Sequence, residues 1–341
     1  HLALTQVESR AQHKRTYFID GPGVLVRDVT PPNAAWTHLS GGWFNAIERP
    51  LDVRWSVNDN FGADGVGLQQ VIVGGRALWA GHPGVGDHRL DLGLGAVGDG
   101  IHGVEVRVDG DGTGGASIGG AVHIDRTAPT LNTTAPGHPG TPRRVDLGWE
   151  AHDATSGVAA GRVEIAHSGG WLGLTDFAGA GKHARQATVP EQVPDGSHAW
   201  RAVAGDNAGN TRVTTGAGAV IVDTTAPTVA VHASPAGWVR AADIDATLGD
   251  NLERLLGLGV AEVHVNAATD GRATGEWKRV RNAPATPGRT VIPVPLEGVA
   301  DGVHLVRITL RNGGSFGAHL AGTATVTLRV DRTPPVVPAA R

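Results

Sequence analysis

Val222-Asp223-Thr224-Thr225-Ala226-Pro227-Thr228 has two close copies in this chain. They are Ile124-Asp125-Arg126-Thr127-Ala128-Pro129-Thr130 and Val330-Asp331-Arg332-Thr333-Pro334-Pro335-Val336. A looser copy is Arg27-Asp28-Val29-Thr30-Pro31-Pro32. The aspartates are 97, 98 and 108 residues apart, by subtraction of their positions. Self-similarity at a fixed period is the mark of a repeat architecture. The period divides the chain into three units, 28–125, 126–223 and 224–331. Residues 1–27 read as an N-terminal arm or the end of a preceding repeat. Residues 332–341 read as a linker to a following element, so the chain is expected to be a slice of a longer array.

Other motifs recur in the same order inside each period. Asp99-Gly100-Ile101-His102 matches Asp195-Gly196-Ser197-His198 and Asp301-Gly302-Val303-His304. Trp55-Ser56-Val57-Asn58-Asp59 matches Trp149-Glu150-Ala151-His152-Asp153, and both lead to a Gly-Val pair. The third copy, Ala246-Thr247-Leu248-Gly249-Asp250, lacks the Trp and is followed by an insertion at 252–258, expected to form a helical turn or two. Apolar residues alternate over short runs bounded by Gly, Pro, Asp and Asn, the strand signature. Residues 2–14 are the other stretch where a short helix is expected. About 100 residues with some seven short strands is the texture of an immunoglobulin-like sandwich. The expected fold is therefore all-β: three tandem immunoglobulin-like β-sandwiches in an elongated rod, with an N-terminal strand-like arm. Trp55 and Trp149 are expected between the sheets. The His of Asp-Gly-x-His is expected to bond the backbone at a strand corner. The Pro of the closing motif is expected to end the ladder and stiffen the link.

The composition narrows function. The chain has 341 residues, 29 basic against 33 acidic, and a net charge of -4. That is no footprint for nucleic acid. There is no Cys, which removes disulfides, thiolate metal sites and cysteine nucleophiles. No apolar run approaches the roughly 18 residues of a membrane helix, so no membrane insertion is expected. The first five residues show no signal-peptide pattern.

These motifs resemble the bacterial immunoglobulin-like repeats of large extracellular and cell-surface proteins. Unit two carries most of that pattern: Gly157-Val158 after Asp153-Ala154-Thr155-Ser156, then Asp195-Gly196-Ser197-His198, Asp206-Asn207-Ala208-Gly209-Asn210, and the closing segment at Asp223. The resemblance implies surface stalks, adhesins and spacer modules of secreted enzymes, in an extracellular or cell-surface location. It also implies calcium at some domain junctions. Unit one departs from the pattern with Asp109-Gly110-Asp111-Gly112-Thr113, and unit three with Asn312-Gly313-Gly314-Ser315.

The residues themselves offer one oxygen-rich set. Asp153, Asp206, Asn207, Asn210 and the closing-segment Asp223 supply carboxylate and amide oxygens of the kind a Ca2+ ion takes. Their alternative use is Asx-turn bonding to their own backbone. No other cofactor is expected. Asp109-Gly110-Asp111-Gly112 opens like an EF-hand loop, but its twelfth position is Gly120 rather than a bidentate Glu. Gly115-Ala116-Ser117-Ile118-Gly119 matches a nucleophile elbow, yet it is expected in a Gly-rich hairpin loop without the helix that chemistry needs. Gly93-Leu94-Gly95-Ala96-Val97-Gly98 likewise lacks a following helix to hold a phosphate. No nucleophile meets a base, so no enzyme is expected.

The expected function is a non-catalytic structural or adhesive rod. Its partners would be other repeats of the same protein or identical subunits. An unpaired strand-like arm at 1–27 would suit head-to-tail filament assembly by strand addition. The alternative is a carbohydrate-binding or spacer array, with Trp36, Trp79, Trp171 or Trp277 stacked on cell-surface glycan. Core packing is the plainer expectation for these four tryptophans.

Overall fold

The computed structural model describes residues 3–7, 14–20, 24–45, 50–110, 114–318 and 320–334, with backbone alone over 3–27. Strands dominate the described chain and helix is confined to short turns, as the alternating runs require. In the first unit, Leu51–Asn58 sits between Asn33–Leu39 and Gly86–Leu92 in a three-stranded antiparallel sheet. Leu51, Val53, Trp55 and Val57 point inward and are buried. They meet Val71, Val73, Val104, Val106 and Val108 of a five-stranded sheet in one cluster. Two sheets closing on one apolar layer is the sandwich solution.

The second unit repeats this arrangement. Thr130–Gly137, Arg144–His152 and Gly181–Thr188 form one sheet; Gly170–Ala178, Val158–His167, Trp200–Asp206 and Thr211–Thr215 form the other. Trp149 and Trp200 lie in the apolar cluster between them. In the third unit, Thr228–Ala233, Ala242–Gly249 and Gly288–Val294 face a six-stranded sheet across a cluster without tryptophan. Ala246 stands where Trp55 and Trp149 stand in the others. Each cluster draws on one unit only.

The strands ending at Ile124, Val222 and Val330 stop at the closing motif. The segments 125–129 and 223–227 have no ladder before the next strand opens. These five-residue connectors are where Pro129 and Pro227 sit. The insertion at 252–258 supplies a single helical turn, Glu253–Leu256.

Two expectations are corrected. Ala3–Val7, inside the stretch 2–14 expected as a short helix, is a strand, and residues 8–13 lie outside the described residues. The strand's partner Lys14–Asp20 outweighs a weak local helical tendency. Within the expected N-terminal strand-like arm, Ala3–Val7, Lys14–Asp20 and Val24–Arg27 pair with one another as an antiparallel three-stranded sheet. The nucleophile-elbow match lies inside the strand Gly115–Ile124 rather than in a loop. That strand is paired along its length with Gly100–Gly110.

Candidate metal centre

Each Asp-Gly-x-His motif builds the same corner. Its glycine takes φ of +128° at Gly100, +145° at Gly196 and +137° at Gly302, where a Cβ is strained. The turn lets the His fold back. Nε2 of His102 donates to the Gly98 carbonyl at 2.9 Å, His198 to Pro194 at 2.8 Å, and His304 to Ala300 at 2.8 Å. This is the backbone bond expected from the sequence.

The Asp of the corner has a task the sequence did not reveal. It receives the connector's Thr. Thr127 Oγ1 donates to Asp99 at 2.9 Å, and Arg126 pairs with Asp99 at 3.0 Å. Thr224 and Thr225 hydroxyls donate to Asp195, both at 2.7 Å. The Thr333 hydroxyl and the Arg332 N–H donate to Asp301. At Asp195, burial works to raise the pKa, but bonds from Thr225, Thr224 and Asn251 outweigh it and hold the carboxyl low. Asn251 belongs to the next unit, so its 2.9 Å bond to Asp195 crosses the connector.

Opposite that corner, the next unit presents acidic loops to the connector. Asp125, Asp153 and Asp206 each bring one carboxylate oxygen to within 4.8 Å of the others. Asp125 and Asp206 are buried. Backbone amides fix all three. Asp153 Oδ1 accepts from Thr155, Ser156 and Gly157 at 3.1, 2.9 and 2.8 Å. Asp206 Oδ1 accepts from Ala208 and Asn210 at 2.9 and 2.8 Å. Asp125 accepts from Thr127 and, across the joint, from Ser156 at 3.0 Å. The Asx turns anticipated for these residues are therefore present, and they aim the carboxylates at one point. The described ion pairs bring no Lys or Arg to these three carboxylates.

The two asparagines act as braces. Asn210 Nδ2 bridges Asp206 Oδ2 at 2.8 Å and the Asp125 carbonyl at 2.9 Å. Asn207 Nδ2 holds the Ser156 carbonyl at 2.6 Å. The closing-segment carboxylate that joins Asp153 and Asp206 is Asp125; Asp223 lies one connector further on. The chain enters unit two at the pole of Asp125 and leaves through the opposite pole. Three carboxylates without a basic partner are a hard-oxygen donor set that fits Ca2+. Ser156 Oγ, on a residue 8% exposed, has no hydrogen-bond partner beside them. Of the EF-like stretch, Asp111, Gly112 and Thr113 lie outside the described residues.

The four tryptophans outside the repeated core positions separate into two groups. Trp36 and Trp79 pack on the first core, as expected. Trp171 and Trp277 lie on the outer face, each under a guanidinium: Arg201 at 4.2 Å and Arg307 at 4.4 Å from the ring centroids. Trp171 is 38% exposed and borders a surface pocket of about 420 Å³ with His167, Ser168, Pro194 and His198.

No protein-family model and no curated protein sequence matches this chain. Several solved structures are similar to it over much of its length. A Ca2+-stabilised adhesin with which an Antarctic bacterium binds ice is 17% identical, over 93% of this chain and 81% of that one, with a TM-score of 0.44. A tetra-tandem repeat from the extending region of a large adhesion protein is 16% identical, over 94% and 81%, at 0.32. The titin I-band fragment I67–I69 is 10% identical, over 89% and 99%, at 0.41. The structural neighbours are thus adhesin repeats and immunoglobulin-like domains.

Proposed function

We propose that this chain is a non-catalytic extracellular rod of three immunoglobulin-like units, 28–125, 126–223 and 224–331, that spaces or projects an adhesive surface. The observation that supports it most is the connector. It is five residues long, carries Pro, and is tied by hydrogen bonds to the unit behind and the unit ahead. Such a link restrains the angle between neighbours and transmits tension along the chain. No helix among the described residues is long and apolar enough to cross a membrane.

In this reading, Asp125, Asp153 and Asp206 hold Ca2+ at the joint between units one and two. The ion would neutralise desolvated like charges that otherwise repel. Extracellular calcium modules bind in the range of roughly 10⁻⁴ to 10⁻³ M. Calorimetric titration of the whole chain with Ca2+ checks this. Binding lost in Asp153→Asn supports the assignment; identical titrations of the native chain and the variant refute it.

The second reading is attachment to cell-surface glycan. Trp171 favours it, because its ring is held by Arg201 and borders a pocket with polar His and Ser edges. A glycan-array signal abolished by Trp171→Ala would support it. An equal signal in both would place the contact elsewhere. Head-to-tail filament growth by strand addition would use the outer edges of Ala3–Val7 or Val24–Arg27, each paired on one side with Lys14–Asp20.

A further inference from the structure

The joint between units two and three is made of the same positions as the joint before it, with one exchange. Asp223 ends unit two as Asp125 ends unit one, each directly after the residue that pairs with the corner glycine. Asp250 follows Gly249, the partner of Thr228, as Asp153 follows His152, the partner of Thr130. The third position lies at the end of the strand that leads out of the corner. Asp206 there pairs with Val158, and Asn312 with Leu258. A carboxylate has become a carboxamide.

The amide is used. Asn312 Nδ2 donates to Asp223 Oδ2 at 2.6 Å and to the Thr225 carbonyl at 3.3 Å. A side-chain amide therefore sits against the buried connector carboxylate, where the joint before it has the Ser156 backbone N–H on Asp125 Oδ2 and the Asp206 carboxylate nearby. The loop that follows has changed too. In place of Asp206-Asn207-Ala208-Gly209-Asn210 the third unit has a 3-10 turn, Gly314–Ala318. Its Phe316 is 1% exposed yet belongs to none of the three cores. The ring instead meets His138 of unit two, with centroids 6.0 Å apart. His138 is itself pinned, its Nε2 accepting the Ile221 N–H at 2.8 Å.

We infer that the chain carries two kinds of joint. The one between units one and two is completed by a divalent cation, and the one between units two and three is closed without an ion, by the Asn312 amide and the Phe316 plug. The first half rests on the calcium reading above; the second half stands without it. Residue 206 or 312 sets the kind of joint.

The test uses the whole chain with spin-label pairs placed across each joint and distances recorded in Ca2+ and in chelator. Across the joint of units two and three, the native distribution is expected to be narrow in both. Phe316→Ala is expected to broaden it in both. Asn312→Asp, nearly isosteric and so safe for folding, is expected to make it narrow in Ca2+ and broad in chelator. Broadening of the native joint by chelator overturns the ion-free closure, and an Asn312→Asp chain indifferent to Ca2+ overturns the claim that residue 312 sets the kind of joint. If the joint of units one and two ignores chelator, the calcium reading fails while the ion-free closure is still decided by the other pair.

Discussion

Asp223 is a buried carboxylate facing another carboxylate across a joint. Burial, then the charge of Asp250, push its pKa up to about 6. An Asp in an unfolded chain titrates near 3.9. The folded chain therefore keeps a proton that the unfolded chain releases. That contribution to stability is fully present below about pH 4 and is lost as pH rises through about 6. Melting temperatures across pH 4 to 7 should show this as a slope that Asp223→Asn removes; an unchanged slope would assign it to other groups. The corner histidines give a second test at this scale. His198→Ala removes one hydrogen bond and should lower stability by about 1 kcal/mol in urea unfolding. A loss near zero would mean that the bond to Pro194 is formed equally well by water.

The elements are governed by the two periodic signals the chain repeats: alternating burial and the corner. Trp149 fills the centre of the second sandwich, against Phe177 and His183 with ring centroids 5.2 and 5.5 Å away. Trp55 does the same in the first, beside Trp79 and His88. Trp149→Ala should cost about 3–5 kcal/mol, the usual range for a large aromatic in a core. Differential scanning calorimetry would show one transition falling while the transition of unit three stays in place. Gly196→Ala puts a Cβ at φ of +145° and should cost about 1–3 kcal/mol, read from the same transition. These core and corner residues were legible in the sequence because each acts within its own repeat. The sequence reading set Asp223 beside Asp153 and Asp206, whereas the structure brings Asp125 to them. Asp125 and Asp223 are equivalent in sequence, and only the direction of the chain through the sandwich decides which faces those loops. Asn312 was legible as a departure from pattern, but its use was not. Its bond to Asp223 spans 89 residues. The His183 contact was missed for a related reason: cross-strand register, which places it opposite Trp149, is not written in local spacing.

At the scale of the whole molecule, in the proposed function short braced connectors join three units into one mechanical element. Their stiffness differs in origin from joint to joint, so calcium should alter part of the rod rather than all of it. At a concentration 100 times its dissociation constant, an ion stabilises the state it binds by about 2.7 kcal/mol. That is enough to order one joint against chain entropy. The most direct measurement is small-angle X-ray scattering of the full chain in Ca2+ and in chelator. A single compact body of this length would have a radius of gyration of about 20 Å. The rod predicts a value well above that in both conditions, with a longer maximum dimension in Ca2+ than in chelator. A radius near 20 Å, with a symmetric distance distribution unaffected by chelator, would contradict both the tandem arrangement and its ion-set joint.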